Sequence, residues 1–532
     1  MTKDKVAYNI RQGNIIMGLE LGSTRIKAVL IDQKGLPLAT GSYVWENSLV
    51  DGVWTYSLEE AWKGIREAYA DLASAVRKNY GEPLRKIKAM GISGMMHGYL
   101  PFDASGKQLA MFRTWRNTMT EKAATILTEL FDFNIPHRWS VAHLYQAVLN
   151  GEEHVEKIAF LTTLSGYVHW KLTGEKTLGI CDASGMFPIS SETKDYDAEM
   201  LKKFEGLLQK HGLNIRAKNI LPRVLAAGEP AGVLTQEGAK LLDPTGTLLA
   251  GSIFCPPEGD AGTGMIATNS VSVRTGNISA GTSIFAMVVL EKPLSRVYPE
   301  IDIVATPTGH PVAMVHCNTC TSDIDAWIKL FMQFAIAVGG NAEKAKIYDL
   351  FYQKALEAQD NCDGIVNINY YSGEPITGIS GGRPLLVRFP NSELTFANFA
   401  RAQLYSAIAT LKIGMDLLFE KEKVCLDVLR GHGGFFKTPR VGPMIMAGAL
   451  NVPVSLLENA GEGGPWGMAI LAAYRAYQKN GQPLESYLEE TIFGRQTDST
   501  YFPNKKDVQS FGAFMENYKK ILSVEERAIQ VY

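Results

Sequence analysis

Ile15–Gly35 reads IIMGLELGSTRIKAVLIDQKG, two apolar, β-branched-rich runs on either side of Gly22-Ser23-Thr24. A tight turn of that composition between two such runs predicts a β-hairpin. The pattern returns at Val271–Val289, VSVRTGNISAGTSIFAMVV, with its turn at Gly281-Thr282-Ser283. Two equivalent strand–turn–strand units, each opening roughly half of the chain, imply two related domains. A chain of 532 residues is also too long for one hydrophobic core.

Working outward, further strands are expected at Leu36–Val44, Ile87–Ile92 and Leu248–Phe254. Between them Leu58–Lys78 has helical spacing, with Trp62, Ile65, Ala68, Tyr69 and Leu72 on one face. In the second half, Phe399–Phe419 carries the clearest apolar stripe, and Pro465–Tyr477 follows the glycine-rich run Gly461-Glu462-Gly463-Gly464. A last helix is expected around Phe511–Ile521.

Composition narrows the function. Lys and Arg number 53 against 55 Asp and Glu, a balance that argues against a nucleic-acid partner or a polybasic membrane anchor. The opening segment MTKDKVAYNIRQG lacks the apolar centre of a secretion signal, and no apolar run reaches the length of a membrane span. A cytoplasmic location is expected. Six cysteines in so long a chain make no disulfide framework. The lone C-x-x-C, Cys317 and Cys320, is read as two reduced thiols where a strand runs into a helix.

Phosphates are held by backbone N–H groups presented where no side chain blocks the approach. Gly followed by Ser or Thr in a tight turn supplies bare amides and hydroxyls together. The device occurs once per expected domain, at Gly22, Ser23 and Thr24 and at Gly281, Thr282 and Ser283, so each could hold one end of a triphosphate. No G-x-x-x-x-G-K-[ST] is present, and GLELGS lacks both the third glycine and the following helix of a dinucleotide fold. Glu20 precedes the first turn; a carboxylate beside phosphates implies a bound Mg²⁺, and otherwise a strand-end acid facing solvent. Asp260, in PPEGDAGTGM, stands between a buried strand and the start of a helix, where it would serve as a catalytic base, as the helix N-cap, or as both.

Taken in order, these motifs resemble the FGGY carbohydrate kinases of the actin, Hsp70 and hexokinase superfamily, and most of all their pentulose kinases. ELGSTRIKAVLID is similar to the family's D-L-G-T-S-x-x-K strand pair, and GISGMMHGYLPFD to the xylulokinase-type S-G-Q-M-H-G segment. KLTGEKTLGICDASGMFPI and LPRVLAAGEPAGVLT resemble two further family segments, and GSIFCPPEGDAGTG resembles the G-x-x-D-x-x-x-G site that places the base at Asp260. SAGTS resembles the second phosphate turn, YYSGEP a later family segment, and GHGGFFKT the adenine-binding G-G-G-A-K-S region.

The resemblance implies an α/β fold of two ribonuclease-H-like domains around a cleft, 14–270 and 271–532. It implies ATP and Mg²⁺, with Glu20 toward the metal and Gly433, Gly434 and Lys437 toward the nucleotide. Met96, His97, Trp115, Asn117 and Asp260 would contact the sugar. The expected reaction is phosphorylation of the terminal hydroxyl of a ketopentose, xylulose ahead of ribulose. The alternatives are another ketose or polyol, or a catalytically altered sugar sensor. A homodimer is the expected oligomer.

Three segments depart from the family pattern. Glu20 replaces an aspartate, Trp115-Arg116-Asn117-Thr118-Met119 loses both the acid and the base of W-x-D-x-R, and Phe435-Phe436 replaces a small residue. The two phenylalanines are expected to form a bulkier wall against the purine.

Overall fold

The computed structural model describes residues 2–340, 343–457, 463–494 and 499–531. Gly461 and Glu462 of the expected glycine-rich approach lie outside the described residues. The chain forms two compact units. Unit 1 comprises described residues of 1–272, 303–312 and 462–495, and unit 2 those of 273–302, 313–461 and 496–532.

In unit 1 the first hairpin pairs β1 (Ile16–Leu21) with β2 (Arg25–Ile31), and β2 with β3 (Pro37–Val44), both antiparallel. β4 (Ala89–Gly94) then lies parallel to β1, and β5 (Ile253–Phe254) and β6 (Glu258–Gly259) parallel to β4. The expected strand Leu248–Phe254 shrinks to two residues and resumes at Glu258. Gly251 has a left-handed φ of 105° on one side, and Pro256-Pro257 cannot donate to a ladder on the other.

Helices cover both faces of this sheet at close range. On Gly41 of β3, a Cβ would lie 2.2 Å from the Ala68 carbonyl oxygen of helix Leu58–Tyr80. On Gly18 of β1, it would lie 2.0 Å from the Pro465 carbonyl oxygen of helix Gly463–Tyr477. Only glycine permits backbones to approach so near. Trp466 of that helix donates its indole N–H to the Gly35 carbonyl at 2.7 Å, across 431 positions of chain. Leu19, Leu30, Ile65, Leu72, Met90, Ile92 and Phe254 meet in the core, each fully buried.

Unit 2 repeats the opening. β7 (Thr275–Ala280) pairs antiparallel with β8 (Ile284–Val289) and parallel with β9 (Val428–His432), which is parallel to β10 (Val454–Leu456). β11 (Ser499–Tyr501) closes that edge antiparallel. The stripe at 399–419 runs through helix Phe396–Asp416, capped by the Thr395 hydroxyl, into the π-helical turn Leu417–Lys421, and the last helix runs Lys505–Ala528. Cys317 ends one strand and Cys320 precedes helix Ser322–Ala337; both are free, buried thiols.

Candidate active site

The register of unit 1 aligns one row of side chains at the carboxyl ends of its strands. Glu20 of β1 is opposite Lys27 of β2 and Ser93 of β4, and Ser93 is opposite Glu258 of β6. Residues in register across a sheet share a face, so Lys27, Glu20, Ser93 and Glu258 stand side by side. The next row is Leu21, Gly94 and Gly259. Asp260 follows as the first residue of helix Asp260–Ala267, whose N-cap is Gly259 with extended φ −77° and ψ 156°. Asp260 therefore stands one position inside the helix and does not serve as its cap, a correction to that expectation.

One Asp260 oxygen accepts from the Met96 backbone N–H at 3.3 Å. The carboxylate keeps a solvent-accessible face, yet protein crowds it enough to push its pKa up to about 6 by desolvation, against the pull of backbone donors. Glu20 is half-buried and pushed up to about 7, first by burial and then by the nearby Asp260 charge, with Lys27 opposing. Its carboxylate lies against the first turn of helix Gly463–Tyr477, where a Cβ on Gly464 would overlap Glu20 Oε2. An acid at a helix N-terminus is favoured by the exposed N–H groups there. Below the row, the Ser93 and Thr263 hydroxyls meet at 3.0 Å.

Behind Asp260 sit two further acids that sequence reasoning passed over. Asp182 is fully buried, accepts from Thr163 Oγ1 at 2.7 Å and from Ser165 Oγ, and is pushed up to about 7 by burial. Glu258 accepts from the Asp182 backbone N–H at 3.0 Å, and burial holds its carboxyl well above the usual range. The D-A-S-G segment carried Asp182 in plain view; Glu258 had no sequence signal beyond its place two residues before Asp260.

The Met-His segment closes over this end of the sheet. Met96 is packed on Gly259, where a Cβ would fall 2.1 Å from Met96 Cγ. His97 has φ 69° and Gly98 φ 94°. A left-handed histidine costs roughly 1–2 kcal/mol, the kind of strain that clusters at functional sites. Burial, with the Arg138 charge, pushes its pKa down to about 3, so the ring is neutral. Nδ1 lies 3.1 Å from the Gly185 carbonyl, which can only accept. Nδ1 therefore carries the proton and Nε2 is left as an acceptor.

Of the other two expected contacts, one is open to solvent and one is buried. Trp115 is 38 % exposed and shares the Arg116 guanidinium with Trp54. Asn117 is 2 % exposed, and its amide is turned on the Trp54 backbone, accepting at 2.9 Å and donating at 2.8 Å. The structure does not bring the Asn117 side chain to the site. A groove of about 520 Å³ lined by Ser57, Glu60, Arg66 and Tyr167 holds none of these residues; the carboxylates, not concavity, mark the centre.

In unit 2, Gly281, Thr282 and Ser283 form the hairpin turn after β7. Gly433, φ 106°, follows β9 and packs on the Ala280 backbone, where a Cβ would lie 2.4 Å from its carbonyl oxygen. This brings Gly433 and Gly434 beside the second turn, with Lys437 exposed. Phe435 and Phe436 turn inward instead of lining a surface. Phe435 packs edge-on to Tyr352, and Phe436 covers Gly431. Their apolar rings gain more from the core than from water, so the expected wall is not formed by exposed rings.

The N-terminal domain of the FGGY family of carbohydrate kinases matches residues 15–248, and its C-terminal domain matches 276–476. The chain belongs to this family. This FGGY protein is an ATP-dependent carbohydrate kinase with the actin/hexokinase-like fold. It is 22% identical to a xylulose kinase of Haemophilus influenzae over 95% of this chain and 99% of that one. It is 21% identical to a ribulokinase of Geobacillus thermodenitrificans over 95% and 93%. Among solved structures, a "xyloylose kinase" from Brucella ovis superposes with a TM-score of 0.77 at 20% identity, covering 96% of this chain and 99% of that one.

Proposed function

We propose that this kinase transfers the γ-phosphoryl group of ATP to the terminal hydroxyl of a ketopentose, xylulose first and ribulose second. The observation that carries the reading is Asp260, an accessible carboxylate held by Met96 N–H just beyond the row of Lys27, Glu20, Ser93 and Glu258. Relatives over nearly the full length are a xylulose kinase and a ribulokinase, which supports the substrate class.

Asp260 takes the proton of the sugar hydroxyl as that oxygen forms its bond to the γ-phosphorus; the bond to the β-phosphate oxygen breaks, and ADP leaves. His97 Nε2 accepts from a second hydroxyl, and Met96 and Trp115 give apolar surface to the carbon skeleton. The turns at Gly22, Ser23 and Thr24 and at Gly281, Thr282 and Ser283 hold phosphates, while Gly433, Gly434 and Lys437 receive the nucleoside end. The working division is 14–270 for the sugar and 271–532 for adenine, with 303–312 and 463–494 of the second half packing in the first unit.

Mg²⁺ fits the residues present. Glu20 and Asp260 repel one another across a crowded site with Lys27 the opposing charge. Among the described residues no three His, Cys, Asp or Glu converge on one point; an ion held by one or two carboxylates and the substrate phosphates needs no such cluster. Glu20 is the residue that would hold it, and the ion supplies charge neutralisation at the phosphoryl oxygens.

Among the described residues no helix is long and apolar enough to cross a membrane, and a cytoplasmic homodimer is the working assembly. Purified protein with ATP and Mg²⁺, screened against ketoses and polyols, tests the reading. Xylulose or ribulose should raise ADP release at least about tenfold above the sugar-free rate. Turnover of another polyol with none of any ketopentose overturns the substrate.

A further inference from the structure

The first phosphate turn is gripped from behind by two aromatic residues that no motif singled out. Trp45 donates its indole N–H to the Gly22 carbonyl at 2.7 Å and its backbone N–H to the Thr24 carbonyl at 3.2 Å. Tyr56 donates its hydroxyl to the Ser23 carbonyl at 2.6 Å. Three successive carbonyls are thus held on one side. The two rings stack with centroids 4.2 Å apart, and both residues are buried, 3 % and 4 % exposed. Burial pushes the Tyr56 hydroxyl up to about 12, so it remains a donor across the working pH range.

A peptide unit carries its N–H opposite its C=O. Fixing a carbonyl on one side therefore aims the next amide to the other. Ser23 and Thr24 are exposed, and among the described residues their amides meet no protein acceptor. An unheld turn could rotate a carbonyl oxygen toward the phosphates, replacing attraction by repulsion at the closest range in the site.

We propose that Trp45 and Tyr56 are positioning residues, a carbonyl clamp that keeps the amides of Ser23 and Thr24 aimed at the distal phosphates of ATP. The clamp rests on the reading of this turn as a phosphate site. It predicts a selective loss: the reacting phosphates are mispositioned while the nucleoside and sugar ends are held as before.

Tyr56→Phe is the sharpest test, because it removes one hydroxyl and keeps the stacked ring. The variant should lose about tenfold in kcat/KM for ATP, the effect of one well-placed hydrogen bond. Its KM for the sugar should stay within about twofold, since uniform binding there is untouched. In calorimetry ADP should bind more weakly while adenosine binds as to wild type. Trp45→Phe should show the same split; if it fails to fold, Tyr56→Phe decides alone. Unchanged kcat/KM for ATP in Tyr56→Phe, or equal weakening of adenosine and ADP, overturns the clamp. Wild-type protein that consumes no ATP with any sugar overturns the phosphate-site reading itself, which separates the two failures.

Discussion

The two hairpins share a design and differ in what they do with charge. In unit 1 the row before the turn is Lys27, Glu20, Ser93 and Glu258. In unit 2 the equivalent row, two residues before Gly281, is Phe285, Ser279 and His432, with no acid. The turns are also held differently. The first relies on Trp45 and Tyr56, through two side-chain donors and the Trp45 backbone N–H. In the second, the backbone N–H groups of Cys320 and Thr321 donate to the Thr282 and Gly281 carbonyls at 2.8 and 3.0 Å, and the Thr321 hydroxyl doubles the latter at 2.8 Å. One topology thus provides a charged centre suited to metal and proton transfer, and a neutral cradle suited to binding alone. The difference teaches that the fold supplies the turn twice, while the row of acids stands in one copy.

The largest expected effect breaks the charged copy at its base. Asp260→Asn should lower kcat by about 10²–10⁴-fold while ADP affinity stays near wild type. A turnover within tenfold of wild type would show that the acid there is not the base. Next comes the contrast between rows: Glu20→Gln should cost about 10–100-fold in kcat and raise the Mg²⁺ concentration needed for half activity. Ser279→Ala, its neutral counterpart, should stay within about threefold. Equal effects at the two positions would erase the distinction.

A structural contrast is smaller but clean. Gly18→Ala drives a methyl into the Pro465 carbonyl, where a Cβ would come within 2.0 Å. It should cost about 1–3 kcal/mol by chemical denaturation. Gly281→Ala, at a turn where nothing lies within 4 Å of the added Cβ, should leave stability near wild type and act on ATP affinity instead.

Both hairpins could be read in the sequence because apolar β-branched runs and a Gly-Ser/Thr turn are local signals. The placement of Asp260 between a strand and a helix was legible because the glycines around it are local as well. The row beside it was not, since it depends on parallel pairing of Glu20 with Ser93 and of Ser93 with Glu258, far apart in the chain. Helix Gly463–Tyr477 was legible as a helix, but its packing on β1 depends on a close approach that only Gly18 and Gly464 reveal in three dimensions. Asn117 has the composition of a sugar contact; only the position of the Trp54 backbone shows that its amide is already used. Trp45 and Tyr56 fall in none of the motifs, and nothing in their spacing says that their donors reach the turn.

The smallest effect sharpens what the charged copy costs the fold. Burial raises the Asp260 carboxyl from the usual 3.8 to about 6, so the folded state binds that proton more tightly than the unfolded chain. The stabilising proton is in place below about pH 4 and is lost as pH rises through about 6, leaving an ionised, crowded carboxylate at neutral pH. The full shift corresponds to about 3 kcal/mol, and solvent screening at its accessible face reduces this to about 1 kcal/mol. Asp260→Asn should therefore be more stable than wild type by about 1 kcal/mol at pH 7.5, with the gain fading toward pH 4. Removing this charge also relieves Glu20, whose raised value owes its second contribution to Asp260. The same titration should appear in wild-type kcat/KM as an acid limb with an apparent pKa near 6. Urea midpoints at both pH values, set beside that profile, connect the two quantities. A base poised near neutrality should cost stability where it is ionised, and the neutral row of unit 2 offers no position with the same trade-off.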